Sequence, residues 1–191
     1  MKFKIGNTVY KISYIFLLTV TLILLLDRTG VGYLSILSIV IHESGHVFVM
    51  KILKIKISAM ELFSGRIKII HKSFTSDKQN LFIALGGPIM NLLFVPLYFL
   101  GNSSLKYFAL CNMVIALFNL MPIKGLDGGD IIFYSLRVKG SSKYNILVNI
   151  ISYFFIILII IFGGIIFAFV NGNITLIIVG IYLFILSLIK V

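Results

Sequence analysis

Six long apolar runs make up most of this sequence and constrain its fold more than any other feature. Of the 191 residues, 60% are hydrophobic and 12% are charged, which is more apolar surface than a soluble domain of this size can bury. An apolar run of about 17–25 residues is long enough for a helix to cross a bilayer. The sequence therefore predicts an all-α membrane protein with about six transmembrane helices, forming a single domain over residues 1–191. The predicted spans are Val9–Leu26, Val31–Met50, Leu81–Leu100, Leu105–Met121, Ile146–Val170 and Ile174–Ile189.

The 17 basic residues give the chain a net charge of +11. They lie in the breaks between apolar runs and not along one face, so they indicate positive-inside loops, and we expect no nucleic-acid partner. If six spans are threaded from a cytoplasmic N-terminus, every basic residue except Arg28 and Lys106 falls on the cytoplasmic side. The sequence thus predicts an integral, multi-pass protein of the lipid bilayer with both termini in the cytoplasm.

The break between the second and third runs, residues 51–80, has a different pattern. Polar and apolar residues alternate over Ile55–Ile57 and Arg66–Ile69, with Ser64-Gly65 between the two stretches. Alternation with a period of two is typical of β-strands. We predict a short β-hairpin that lies against the inner membrane surface, and the alternative is a loop that follows the bilayer.

The second run contains an unusual cluster of polar residues, His42-Glu43-Ser44-Gly45-His46. Ionisable groups are costly in hydrocarbon, so their presence in an apolar run indicates a functional site. Residues four apart lie on one face of a helix, within reach of a single ion, and imidazole nitrogens suit zinc. Glu43 projects about 100° away from His42, where it can act as a general base beside the metal. The alternatives are polar residues that bridge helices, and the ion pathway of a transporter.

A catalytic zinc needs a third protein ligand. Glu61, Asp77 and His71 lie in the basic segment 51–80, where pairing with lysines or a surface position is expected, and Asp27 falls on the outer side. The remaining candidates are Asp127 and Asp130, which flank two glycines that let the chain turn and approach another segment tightly. An aspartate held in such a turn can reach the metal, and the alternative for Asp127 is a helix N-cap. The single cysteine, Cys111, is interpreted as a buried apolar side chain.

Three motifs occur in a fixed order along the chain and together carry a family resemblance. They are His42-Glu43-Ser44-Gly45-His46, then Gly86-Gly87-Pro88-Ile89-Met90-Asn91, then Asn119-Leu120-Met121-Pro122 followed by Leu126-Asp127-Gly128-Gly129. This arrangement resembles the site-2 proteases, which are intramembrane zinc metalloproteases. It is most similar to the branch that includes stage IV sporulation protein FB, which processes a membrane-tethered sigma-factor precursor.

The resemblance implies one Zn²⁺ per chain, with His42, His46 and Asp127 as ligands and Glu43 as the catalytic base. Asp130 lies at a position that varies in the family, so it is interpreted as an acidic residue of the first helical turn. The resemblance also implies that Asn119, Asn91 and Gly87 lie near the substrate or the oxyanion, with Asn91 and Gly86–Pro88 in a loop near the active site. Packing between helices is an equally good account of Asn119, and a helix start with Pro88 in its first turn is an alternative account of the segment Gly86–Asn91. We expect no CBS and no PDZ domain within residues 1–191.

The implied function is hydrolysis of a peptide bond in or next to a transmembrane segment of a membrane-tethered protein, such as a sigma-factor precursor or an anti-sigma factor. The implied location is a bacterial cell membrane, with a regulatory membrane protein as a further possible partner. The alternative function is a metal or proton transporter that uses the same His, Glu and Asp groups. The absence of charged residues from the apolar runs after Asn145 counts against it.

Overall fold

The structure is a computed structural model that describes residues 1–5, 8–63, 66–71, 75–169, 172 and 174–189. It is mostly helical, with one four-stranded sheet, and it divides into two compact units, Met1–Ala116 and Leu117–Val191. The strands are β1 Lys2–Ile5, β2 Thr8–Ile12, β3 Ile57–Phe63 and β4 Arg66–His71. The α-helices are α1 Tyr14–Leu26, α2 Val31–Ile52, α3 Asp77–Phe94, α4 Ser103–Asn119, α5 Asp127–Val138, α6 Tyr144–Phe169 and α7 Thr175–Ile189, and a 3₁₀ segment covers Val95–Leu100.

The first unit contains the sheet, in the order β1-β2-β3-β4. The predicted hairpin is confirmed, since β3 and β4 pair in antiparallel fashion, and its expected turn at residues 64–65 lies outside the described residues. The two N-terminal strands were not predicted. They form their own antiparallel hairpin, and β2 then pairs in parallel with β3. Glu61 on β3 forms an ion pair with Lys11 on β2. It therefore pairs with a lysine, as predicted, but with one from outside its own segment.

The first predicted span, Val9–Leu26, is wrong at its start. Residues 9–12 belong to β2, and α1 begins only at Tyr14 because the Ser13 hydroxyl caps it by accepting a hydrogen bond from the N–H of Phe16 at 3.0 Å. The helix has 13 residues, which is about 20 Å of helix and less than the roughly 30 Å of a hydrocarbon core.

A tight turn joins α1 to α2. The Asp27 carboxylate accepts hydrogen bonds from the backbone N–H groups of Thr29 at 3.0 Å, Gly30 at 2.9 Å and Tyr33 at 3.1 Å. These bonds, that from Tyr33 above all, hold the pKa of Asp27 below its usual range. Asp27 therefore supplies acceptors to N–H groups that have no partner within the first turn of α2.

Helix α3 begins at Asp77, four residues before the predicted span. Its start is fixed by a capping box, in which Ser76 Oγ accepts from the N–H of Gln79 and Gln79 Oε1 accepts from the N–H of Ser76. Pro88 therefore lies inside the helix, and both expectations for this segment, a loop and a first helical turn, are wrong.

Helices α2 and α3 pack with their backbones in contact at two glycines. A Cβ on Gly86 would lie 2.7 Å from the carbonyl oxygen of Gly45, and a Cβ on Gly45 would overlap the carbonyl oxygen of Gly86. The absence of a side chain at Gly45 and at Gly86 therefore allows the two helices to approach this closely.

The second unit contains α5, α6 and α7, with α6 packed against both of the others. Its core is formed by Ile123, Leu126, Ile156 and Leu183. Two core residues, Ile123 and Leu126, come from the short turn between α4 and α5, so the core holds the residue just before Asp127 in place.

Three helical stretches among the described residues are long and apolar enough to cross a bilayer. They are Val31–Ile52, Asp77–Leu100 and Tyr144–Phe169. Each of the other predicted spans also contains a helix, but α1, α4 and α7 have only 13, 17 and 15 residues. The structure is therefore that of a helical protein with membrane-type helices and a small sheet, and the total of six spans remains a prediction.

Candidate metal centre

The two histidines of the predicted motif lie side by side on the buried face of α2. His42 and His46 are one helical turn apart, and both side chains are buried. Their Nε2 atoms are 3.3 Å apart, and the planes of the two rings are nearly perpendicular, at 81°. The sequence prediction that these two imidazoles share one face is confirmed.

The Nδ1 atom of each ring contacts an oxygen atom on α3. His46 Nδ1 lies 2.7 Å from the carbonyl oxygen of Ile83, and because that oxygen can only accept, His46 Nδ1 carries the proton. His42 Nδ1 lies 2.9 Å from Asn91 Oδ1. The amide orientation is fixed because Asn91 Nδ2 donates to the carbonyl oxygen of Ser38 at 3.1 Å. His42 Nδ1 therefore carries its proton as well.

An imidazole whose only proton is on Nδ1 presents a lone pair at Nε2. The 3.3 Å separation of the two Nε2 atoms cannot be a hydrogen bond between neutral rings, since both atoms are acceptors. In a tetrahedral zinc site with Zn–N bonds of 2.0–2.1 Å, two ligating nitrogens are about 3.3–3.4 Å apart. The separation of the two Nε2 atoms therefore fits a shared zinc ion.

Gly87 on α3 keeps the space beside these nitrogens open. A Cβ at this position would lie 2.6 Å from His42 Nε2 and would come closer still to His46 Nε2. Any side chain here would fill the space that faces both lone pairs. Gly87 therefore lies beside the two histidines. Its predicted role toward the substrate remains a prediction.

Asn91 is completely buried and bonds to His42. Both hydrogens of its amide are engaged, one by the carbonyl oxygen of Ser38 and one by Asn112 Oδ1 at 2.9 Å. A donor for an oxyanion would have to give up one of these bonds. The contacts therefore favour a role in orienting His42 over the predicted role toward substrate.

Glu43 follows His42 on α2, and its side chain is half-buried. Because consecutive residues of an α-helix are about 100° apart around its axis, Glu43 projects about 100° away from His42. Ser44, the residue after it, is exposed and bonds to its own helix at the carbonyl oxygen of Ile41.

Asp127 belongs to the second unit, where it is the first residue of α5 and half-buried. The N-cap is Leu126, so Asp127 is not the N-cap residue that was the alternative interpretation. The turn before it is tightly built. The Leu126 N–H donates to the carbonyl oxygen of Ile123 at 3.0 Å, and Gly125 adopts a φ of +108°.

The two glycines after Asp127 allow α5 to begin against this turn. A Cβ on Gly128 would overlap the carbonyl oxygen of Leu120, and one on Gly129 would lie 2.8 Å from the N–H nitrogen of Lys124. The predicted tight approach at this glycine pair is confirmed. Ser152 on α6 holds the same turn, because its hydroxyl accepts from the N–H of Lys124 at 2.8 Å.

The remaining candidates occupy different places. Asn119 is the last residue of α4 and is half-buried, and its role stays a prediction. Asp130 lies in the first turn of α5, as predicted, and Asp77 in the first turn of α3. Cys111 is half-buried, 3.5 Å from Ser35 Oγ. His71 ends β4, and its side chain lies outside the described part of the chain.

Sequence reasoning missed the polar residues that support these groups. Ser38 precedes His42 by four residues on the same face of α2, and Asn112 is a completely buried amide on α4. The available signal was the presence of an amide inside an apolar run, because such a group must find hydrogen-bond partners when buried.

Comparison with known proteins bears on the same segments. Residues 101–162 match the sequence profile of peptidase family M50. A candidate zinc metalloprotease from Synechocystis sp. is 28% identical over an alignment 123 residues long, and the alignment covers 58% of this chain and 32% of that protein. The chain therefore spans about a third of the length of this relative. The site-2 protease from Methanocaldococcus jannaschii has a similar structure, with a TM-score of 0.71 and 22% identity over 100% of this chain and 94% of that one. At this identity the likeness shows a shared fold.

These matches support the predicted kinship with peptidase family M50, the family of the site-2 proteases. M50 peptidases use zinc, in agreement with the donor set that the histidine pair presents. The matched segment, residues 101–162, includes Asn119, Asp127 and the turn between them. The motif His42–His46 lies outside that segment, so its assignment depends on the geometry of α2 and α3.

Proposed function

We propose that this chain is an intramembrane zinc metalloprotease that hydrolyses a peptide bond in or next to a transmembrane segment of a membrane-tethered protein. One observation carries the proposal. Two buried imidazoles place their Nε2 atoms 3.3 Å apart, in the middle of an apolar helix and next to a glutamate. Such a group of residues is costly in an apolar helix unless it binds something.

His42 and His46 hold the ion in this proposal, and Asp127 is the third ligand. The short list of acids in the chain supports Asp127, since Glu61 is engaged by Lys11 and Asp27 by the turn before α2. The firm turn before α5 also supports it, because a ligand needs a backbone held in place. Zinc, when bound, polarises the scissile carbonyl group and makes a neighbouring water more acidic.

Glu43 acts as the general base. Its carboxylate takes a proton from the attacking water and passes it to the nitrogen of the leaving amine. Asn91 and the carbonyl group of Ile83 keep the two histidines in the tautomer that ligates. Gly87 leaves room beside both nitrogens for the ion and for the reacting carbonyl group.

The substrate is a single-span or similarly tethered protein, such as a sigma-factor precursor or an anti-sigma factor. His42 lies 11 residues after the start of α2 at Val31, which is about 16 Å of helix, so the reaction takes place at membrane depth. Hydrogen bonds of a helical substrate hide its carbonyl groups, so the segment must unwind before attack. We further propose six spans, cytoplasmic termini, a bacterial cell membrane and kinship with the sporulation branch of the family, with a regulatory membrane protein as a further partner.

The substitution Glu43→Gln tests the proposal. The protein and a panel of tagged single-span substrates are placed in liposomes, cleavage is followed by the shortened product, and bound zinc is measured by mass spectrometry. We expect cleavage to fall by about 10²–10⁴-fold, the range for loss of a general base, while one zinc per chain remains bound.

The matched control is Glu61→Gln, because Glu61 lies in the sheet and pairs with Lys11. This variant keeps both zinc and cleavage. Undiminished cleavage by Glu43→Gln would contradict the assignment of the base, and absence of zinc from the wild-type protein would contradict the proposed function itself.

A further inference from the structure

A chain of buried amides runs from α4 through α3 to His42. Asn112 on α4, Asn91 on α3 and Ser38 on α2 are all completely buried. Asn91 Nδ2 donates to Asn112 Oδ1 at 2.9 Å, and Asn112 Nδ2 donates to Ser38 Oγ at 2.9 Å. All of these groups belong to the first unit, and none of them belongs to the predicted ligand set.

The direction of every bond in this chain is fixed by groups that can only accept. The carbonyl oxygen of Phe108 accepts from Asn112 Nδ2 at 2.9 Å, so the Asn112 amide cannot be flipped without placing two acceptors in contact. Ser38 Oγ gives its own proton to the carbonyl oxygen of Leu34 at 2.8 Å. It is therefore an acceptor for the second hydrogen of Asn112 Nδ2.

The orientation passes from Asn112 to Asn91 and then to the histidine. Because Asn112 presents Oδ1, Asn91 must present Nδ2 to it, and the other hydrogen of that group reaches the carbonyl oxygen of Ser38. Asn91 Oδ1 is then the only amide atom left to face His42 Nδ1, 2.9 Å away. The proton on His42 is thereby placed on Nδ1, and the lone pair on Nε2.

The burial of two asparagine side chains is itself evidence of a function. Burying an amide in an apolar environment costs several kcal/mol unless all its hydrogen bonds are made, and a well-packed apolar pair would hold α3 and α4 together without this requirement. Two amides in series do what apolar side chains cannot, which is to specify which nitrogen of a histidine carries the proton.

We propose that Asn112, supported by Ser38, is a positioning residue that sets the tautomer of His42 through Asn91 and thereby raises the affinity of the histidine pair for zinc. The inference depends on the proposed metal site but not on proteolysis. It assigns a function to a residue on α4 that touches neither histidine.

The test uses Asn112→Leu, which keeps the number and branching of the side-chain heavy atoms and removes both the acceptor for Asn91 and the two donors. Two measurements are made on the 191-residue chain. They are the dissociation constant for zinc, by competition with a chelator, and the ¹⁵N spectrum of the histidines without metal. The spectrum is simple because the chain has three histidines. We expect zinc affinity to fall about tenfold, the lower end of the range for outer-shell partners, and the His42 signals to move toward the Nε2-protonated tautomer.

A double-mutant cycle separates positioning from general loosening. If Asn112 acts through Asn91, then Asn112→Leu causes no further loss of zinc affinity in a protein that already carries Asn91→Leu, so the two effects are not additive. The matched control is Ser35→Ala, because Ser35 lies on the same face of the α2–α4 contact, beside Cys111, but has no bond to Asn91. It leaves the zinc affinity and the tautomer unchanged.

The role of Asn112 can be refuted by either measurement. Unchanged affinity and tautomer in Asn112→Leu, or additive losses in the cycle, would overturn the inference. If Asn112→Leu does not fold, Ser38→Ala removes only the hydroxyl acceptor and is expected to shift the tautomer in the same direction. Wild-type protein that binds no zinc would refute the proposed function, while the histidine spectrum without metal would still decide the role of Asn112.

Discussion

Gly87→Ala places a methyl group against the two histidine rings, where the structure leaves no room for one. The added Cβ would lie 2.6 Å from His42 Nε2 and 2.7 Å from His42 Cε1, and closer still to His46 Nε2, although ordinary contacts of this kind are 3.4–4 Å long. A zinc ion must lie 2.0–2.1 Å from the same two nitrogens. The methyl group and the ion therefore compete for one space.

The contacts also show which atoms would move to make room for the added methyl group. The overlapping atoms are the far ends of two side chains, so the rings can rotate away and the fold survives. Rotation lengthens the bonds from His42 Nδ1 to Asn91 and from His46 Nδ1 to Ile83, now 2.9 and 2.7 Å. It also separates the two Nε2 atoms. We expect zinc affinity to fall at least about 100-fold, or about 2.7 kcal/mol, with loss of cleavage. Without zinc, the free energy of unfolding should change by no more than about 1–2 kcal/mol, since the better helix propensity of alanine offsets part of the weakened bonds.

Zinc affinity by chelator competition and stability by denaturation in detergent check this expectation, with two glycines as controls. Gly164 on α6 has open space around it, so Gly164→Ala leaves zinc binding unchanged. Gly45→Ala meets the backbone of Gly86, whose carbonyl carbon would be 2.8 Å away. That variant loses stability even without zinc, because backbone cannot rotate aside. Wild-type zinc affinity in a folded Gly87→Ala protein would refute the assignment of this space to the metal.

Two further predictions concern the turns that hold the helices. The pKa of Asp27 is lowered, chiefly by the N–H of Tyr33, so its contribution to stability is complete above the unfolded value of about 3.9 and is lost as pH falls through the lower folded value. The difference in melting temperature between wild type and Asp27→Asn should therefore be present at neutral pH and shrink below about pH 4, and a constant difference would contradict it. Ser152→Ala removes the acceptor for the N–H of Lys124, which should cost about 1–3 kcal/mol of unfolding free energy. Zinc affinity should weaken with it if Asp127 is a ligand, and an unchanged free energy of unfolding would contradict the role given to Ser152.

Parts of this fold could be read from the sequence because they depend on local patterns. Apolar runs located every helix except α5, and the spacing of four placed His42 and His46 on one face. Alternation located β3 and β4. Local patterns were also where the misses arose. The apolar run alone predicts the start of α3 at Leu81, four residues later than the start that the capping box of Ser76 and Gln79 fixes. The apolar residues of β2 continue directly into α1, so the same pattern predicts helix for both.

Other features could not be read because they depend on contacts between distant segments. β2 pairs with β3 although their residues are about 50 positions apart in the sequence. No pattern within either strand predicts this pairing. The contact of Gly87 with two histidine rings requires that α2 and α3 cross at Gly45 and Gly86. Glycines at these positions permit such a crossing, but the sequence does not say which pair meets.

The hydrogen-bonding capacity of a side chain explains which polar residues in apolar helices carry structural information. A serine hydroxyl has one hydrogen, and its own helix can accept it, as Ser38 shows toward Leu34 and Ser187 toward Phe184. A serine in an apolar run therefore needs no partner on another helix, and the spacing of such serines does not predict helix–helix contacts. An asparagine amide has two hydrogens and an acceptor, which is more than one helical turn can satisfy. Asn112 gives one hydrogen to Phe108 on its own helix and must send its remaining capacity to other helices. Buried asparagines in such a chain thus mark the places where helices must meet in one orientation, and here that orientation leads to the Nδ1 proton of His42.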